Sequence, residues 1–139
     1  MRVKKNYFYF NINNINQAIN ITTACKSLKI IPVYCIKYYI IQGFGPNWIL
    51  EFRNLLQKKF NKKNFKILVD CKKNYGLFIY LVKQKFNYLK VTADRKTLLR
   101  LKSIADKNKV IVNPKISVIE IKNIKNLKQK LKNISNTNG

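Results

Sequence analysis

The feature that most constrains this chain is an alternation: short apolar runs rich in β-branched and aromatic residues are separated by longer segments of helical period. That alternation is the mark of βαβ units around a parallel sheet. Five strands are expected, at residues 7–12, 30–36, 65–69, 88–92 and 110–112. The run Ile67-Leu68-Val69 is apolar without interruption, as in strands buried on both faces.

The intervening segments carry helix-start signals. Asn13 and Asn14 offer a cap for a helix whose inner face is Ile15, Ala18, Ile19, Thr22 and Cys25. Pro46 opens a second helix, with Trp48, Phe52, Leu55 and Leu56 inward and Lys58 and Lys59 complementing its C-terminal dipole. Asn74 caps a third, facing inward with Leu77, Tyr80, Leu81 and Gln84, and Asp94 a fourth, with Leu98, Leu101, Ile104 and Ala105. Residues 37–45, which include Tyr38, Tyr39, Ile40 and Ile41, are expected as a long apolar loop able to cover a ligand. The last segment is expected to add a short strand at 117–121 and an amphipathic helix carrying Ile124, Leu127, Leu131 and Ile134. Residues 1–135 then form one domain, a usual size for a single core, and 136–139 a frayed tail. The fold class this implies is α/β: repeating βα units in a single open, mainly parallel sheet with helices on both faces, flavodoxin-like or Rossmann-like. Half of a βα barrel is the alternative.

Composition bears on partners. The chain has 29 Lys and Arg against five acids, Glu51, Asp70, Asp94, Asp106 and Glu120, a formal charge of +24. Such a balance suggests a polyanionic partner. Only four of the cations are Arg, however, and the residues in excess are Lys, Asn and Ile, whose codons are almost entirely A and T. Base composition alone can produce that bias, and a surface selected for phosphate often uses the arginine fork. With 47% apolar residues the chain carries enough to fold despite its charge.

Some chemistry is excluded or disfavoured. There is no His, and Cys25, Cys35 and Cys71 show no CxxC spacing, so a His-assisted nucleophile is impossible and no metal site is expected. The cysteines lie in or beside apolar runs and are expected as buried, reduced thiols. Gly43, Gly45 and Gly76 fit neither GxGxxG nor a phosphate-loop pattern, so no nucleotide cofactor is expected. No run approaches a membrane span, and the apolar stretch after the basic residues 1–5 stops at Asn11, short of a signal-peptide core. A cytoplasmic or organelle-matrix location is expected.

In open α/β sheets ligands bind beyond the carboxyl ends of the strands. The residues there include Asn13, Lys37, Lys72, Lys73 and Asn113, which together with the helix starts could hold a phosphate or carboxylate. Asp70, directly after an apolar strand, is the candidate catalytic carboxylate; Lys72 and Lys73 would favour its ionised form, and a role accepting bonds from backbone N–H groups at the Asn74 helix start is the alternative.

Around residues 32–112 the chain resembles short α/β proteins, often seen in alphaproteobacteria, that have no established function. The resemblance rests on Gly45-Pro46-Asn47-Trp48, Val69-Asp70-Cys71, Gly76-Leu77 and Ile104-Ala105. In the proteins it resembles, Asp-Cys is followed by a small residue and a second Asp, where this chain has Lys72-Lys73. The resemblance implies a fold more than an activity. The leading expectation is therefore a domain that binds a small anion at the strand ends. The alternatives are an enzyme using Asp70, or an RNA- or ribosome-associated protein using Lys58, Lys59, Lys62 and Lys63.

Overall fold

Three of the helices start on a polar side chain that accepts a hydrogen bond from a free backbone amide, the arrangement that lets a strand turn directly into a helix. In the computed structural model, which describes residues 6–116, 118 and 119, Asn14 accepts from the Gln17 amide, Asn74 from Leu77 and Asp94 from Thr97. The elements are β1 (Asn6–Asn11), α1 (Ile15–Ser27), β2 (Ile30–Ile36), α2 (Tyr38–Phe44), α3 (Pro46–Lys59), a 3-10 turn (Lys62–Asn64), β3 (Lys66–Asp70), α4 (Tyr75–Lys83), β4 (Tyr88–Lys90), α5 (Arg95–Lys107), β5 (Ile111–Val112) and β6 (Val118–Ile119). All pairings are parallel, in the order β5-β4-β3-β2-β1-β6.

The ends of α1, α4 and α5 are built without glycine. After α4 and α5, Lys85 and Lys109 take the left-handed conformation at φ 60°. The Phe86 amide donates to the Leu81 carbonyl and the Lys85 amide to Val82; the Val110 amide donates to Ala105 and the Lys109 amide to Asp106. These are paired Schellman bonds, with a buried residue following each lysine. Lys29, at φ 57°, occupies the same position after α1.

The strands from β1 to β5 follow one another in space, and with right-handed crossovers this order puts the intervening helices on one face. On that face Phe10, Tyr34, Ile36, Ile67, Val69 and Leu89 share a core with Ala18, Phe52, Leu56, Phe78, Leu81 and Leu101. Tyr34 is fully buried, its hydroxyl donating to the Ala18 carbonyl at 2.8 Å and bonded to the buried Thr22 hydroxyl. The alternate strand residues Val33, Cys35, Leu68 and Tyr88 form a smaller cluster on the other face with Tyr7, Tyr9 and Ile116. Burial and the neighbouring phenols of Tyr9 and Tyr7 push the Tyr88 hydroxyl up to about 12.

Ile116 belongs to the segment joining β5 to β6, at opposite edges of the sheet.

The open, all-parallel α/β sheet expected from the sequence is what the chain forms, in keeping with a flavodoxin-like or Rossmann-like class, and β5 and β6 do not pair to close a barrel. Among the described residues the helices cover one face and Ile116 packs on the other. The helix expected around residues 124–134 and the tail at 136–139 lie outside the described residues.

Two local expectations need correcting. Residues 38–44 are helix α2 and not loop, because Ile40 and Ile41 both bury in the core and the Gly45 amide closes the turn onto the Ile41 carbonyl. In α3 the buried face is Ile49, Phe52 and Leu56, while Leu55, expected inside, is 44% exposed.

Candidate functional site

The carboxyl ends of β1, β2, β3 and β4 lead into α1, α2, α4 and α5, so the starts of these helices gather on one rim. Two tyrosines at the start of α2 tie the rim together: Tyr39 donates to Asn13 Oδ1 at 3.2 Å, and Asn74 Nδ2 donates to the Tyr38 hydroxyl at 3.1 Å. Asn74 thus caps α4 with one end of its amide and braces α2 with the other.

Between α2, the start of α3 and α4 this brace leaves a cleft of about 550 Å³. Its apolar wall is Ile41, Pro46 and Leu77; its polar groups are Tyr38, Gln42, Asn47, Asn74 and Tyr80, and no charged side chain lines it. A size of this order and a few convergent polar groups on an apolar wall suit a small organic ligand. The start of α3 has a further property. Its capping position is Gly45, at φ 87°, and no side chain caps the first turn; Pro46 has no amide hydrogen and the Trp48 amide donates to the Gly45 carbonyl at 3.2 Å, which leaves the Asn47 amide open. A 14-residue helix therefore brings the positive end of its dipole to the cleft uncapped.

The strand-end residues singled out in the sequence do not converge. Asn113 is turned back onto the sheet, where its side-chain amide accepts from the Val91 amide at 2.8 Å and donates to the Val91 carbonyl at 3.0 Å, continuing the β4–β5 ladder. Asn13 holds Tyr39 through its side chain, and its backbone amide donates to Gln17. Lys37 is exposed at the start of α2, and Lys72 and Lys73 are exposed in the turn after β3. Lys37 and Lys73 are the chain neighbours of the cleft residues Tyr38 and Asn74, and are the two cations best placed to add to its potential.

Asp70 is committed to its own turn. One carboxylate oxygen accepts from the Lys72 amide at 3.0 Å and the other lies 3.5 Å from Lys72 Nζ, while Lys72 itself is held at φ 50°. Asp70 does accept a backbone N–H bond, but from Lys72 in the turn and not at the Asn74 helix start where it was expected. Cys71 is fully buried and its thiol is pushed up to about 12, first by burial and then by the neighbouring Asp70 charge. Cys25 and Cys35 are raised to about 12 by burial as well, against a smaller lowering effect of Lys90 on Cys35. All three cysteines are free and buried, and no group of acids and cysteines that could hold a metal occurs among the described residues.

Sequence reasoning missed the cleft because its polar groups are phenols and amides on a segment read as loop. The signal was there in Tyr38-Tyr39 and in Gly45-Pro46-Asn47, which place two aromatic hydroxyls and an uncapped helix start on one rim. Compared with family models, curated proteins and solved structures, the chain matches none. No described helix is long and apolar enough to cross a membrane.

Proposed function

We propose that the chain is a small-ligand-binding α/β domain whose ligand lies in the cleft between α2, α3 and α4. The ligand's apolar body rests on Ile41, Pro46 and Leu77, and a phosphate or carboxylate group points to the start of α3. The observation that carries this reading is the uncapped amide end of α3 in the wall of a cleft beyond the strand carboxyl ends. Tyr38, Asn47 and Tyr80 supply hydrogen bonds to the body of the ligand, and Lys37 and Lys73 add positive potential from outside. Neither Asp70 nor Cys71 takes part: the carboxylate is engaged in its turn and the thiol stays protonated.

Gly76 provides the test. It lines the cleft, it is exposed, and a Cβ added there would approach only Asn74 Oδ1, at an ordinary 3.7 Å. Gly76→Phe therefore fills the cleft from a tolerant position, and Gly76→Ala is the matched control. Phenyl phosphate, which joins an apolar ring to an anion, is expected to raise the melting temperature more than inorganic phosphate does. At ten times its Kd the stabilisation is about 1.4 kcal/mol. Gly76→Ala retains the shift and Gly76→Phe loses it. Equal shifts from the two phosphates, or an undiminished response in Gly76→Phe, would refute the proposal.

A further inference from the structure

At the opposite end of the sheet, where β2, β3 and β4 begin, a second cavity of about 400 Å³ gathers cations contributed by three separate segments. Arg53 comes from α3, Lys62 and Lys63 from the 3-10 turn and Lys85 from the turn after α4, while Lys66, at the start of β3, also lines the cavity but turns its ammonium to the Tyr7 and Tyr88 rings. No carboxylate lines it. Cations near helix C-termini ordinarily complement the dipole, and the ends of α3 and α4 are close by. That function needs one or two exposed side chains; it does not require four to share a concavity.

Arg53 is built into the site. Its guanidinium lies 4.2 Å from the centre of the Phe86 ring, and Nη1 donates to the Gln84 carbonyl at 2.6 Å. Its Nε is buried and has no hydrogen-bond partner. A guanidinium has five N–H donors in a fixed fork, so ring and carbonyl fix its plane and leave further donors for a ligand. Lys62 and Lys63 are positioned by Asn61, which caps their turn by accepting from the Lys63 amide at 3.0 Å. Lys85 is projected by its left-handed backbone at φ 60°.

We infer that this cavity is a phosphate-binding site, in which the Arg53 fork and the ammonium groups of Lys63 and Lys85 hold phosphate groups spaced as in a polyphosphate or a nucleic-acid backbone. The site is independent of the cleft at the strand carboxyl ends and stands or falls separately. It also gives two of the lysines singled out in the sequence, Lys62 and Lys63, a common geometry, whereas Lys58 and Lys59 remain on the last turn of α3 and do not line the cavity.

The test separates a built site from charge alone. Lys63→Gln/Lys85→Gln and Lys96→Gln/Lys102→Gln remove the same charge, the first pair from the cavity and the second from exposed positions on α5. Binding of a fluorescent single-stranded RNA is measured by anisotropy from about 50 to 200 mM salt, and binding of tripolyphosphate by calorimetry. The cavity pair is expected to lose at least tenfold in affinity for one of these probes, with the α5 pair within about twofold of the unaltered chain. In the RNA arm the salt slope should also fall by about 1.4, for two lost contacts at 0.7 each. Pocket-dependent loss for RNA alone assigns a nucleic-acid backbone; loss for tripolyphosphate assigns a small polyphosphate. Equal losses from the two pairs for both probes, or no binding of either, would overturn the inference.

Discussion

Replacing Lys29 and Lys109 together by glycine should make the protein more stable, although both substitutions remove exposed, charged side chains. Each lysine sits at the left-handed position after a helix, at φ 57° and φ 60°. There a Cβ costs about 1–2 kcal/mol. Glycine offsets about 0.5–1 kcal/mol of that gain through its larger backbone freedom in the unfolded chain. The net is about 0.5–1 kcal/mol per site. The hydrogen bonds at both turns are made by backbone amides and are retained. The sites are in separate turns, so the effects should add to about 1–2 kcal/mol. For a chain of this size that raises the melting temperature by about 3–8 °C. Differential scanning calorimetry at one salt concentration is the assay. Lys102→Gly, within α5, is the control and should cost about 1 kcal/mol. A double variant with an unchanged or lower melting temperature would refute the reading of these turns as strained.

Tyr34→Phe removes the hydroxyl shared by Ala18 and the buried Thr22 and should cost about 1–3 kcal/mol in chemical denaturation; a neutral result would mean that the buried pair contributes nothing. Because all three thiols are buried and pushed up to about 12, none should react with a thiol reagent at pH 8 until the chain is unfolded, when three should react. Bonds from the Thr97 amide and hydroxyl hold the Asp94 carboxyl below its ordinary value of 3.8. Its contribution to stability is therefore complete above the unfolded value and is lost as pH falls through the lower folded one. Asp94→Asn should flatten the stability profile in that acid range, with the loss of stability full near pH 7 and vanishing below the folded value.

The fold was legible because the periodicity is set by burial. Strand β2 and the capped starts of α1, α4 and α5 stand where the pattern of apolar residues and the side chains of Asn14, Asn74 and Asp94 put them. Helix α2 was not legible: Tyr38-Tyr39-Ile40-Ile41 has the composition of a strand, its first residue follows Lys37, which provides no side-chain cap, and only the tertiary burial of Ile40 and Ile41 makes it helical. In α3 Phe52 and Leu56 were read correctly, but Leu55 was placed inside and Ile49 was not, because apolar residues adjacent in sequence leave the edge of the buried face undecided by spacing alone. The turn lysines were hidden because the pattern of a helix end leads one to expect glycine, and this chain has only four.

The candidate site was legible as a place and not as a set of residues. The carboxyl ends of the strands do carry a cleft, but lysines chosen by chain position project from turns, and the groups that line it come from α2, α3 and α4. Asp70 illustrates the same difficulty. A carboxylate at the end of an apolar strand has one position in sequence and two physical uses, and the hydrogen bond from the Lys72 amide distinguishes them only in three dimensions.

The central claim is that a small anion with an apolar body occupies the cleft at the start of α3. The most direct measurement is a titration of the 15N-labelled full chain with phenyl phosphate, followed through its amide resonances. The account predicts saturable shifts concentrated at Asn47, Trp48 and Gly76, with the amides of Lys63 and Lys85 little changed. Shifts spread over exposed lysines without saturation, or saturable shifts that leave Asn47 and Gly76 unmoved, would contradict it.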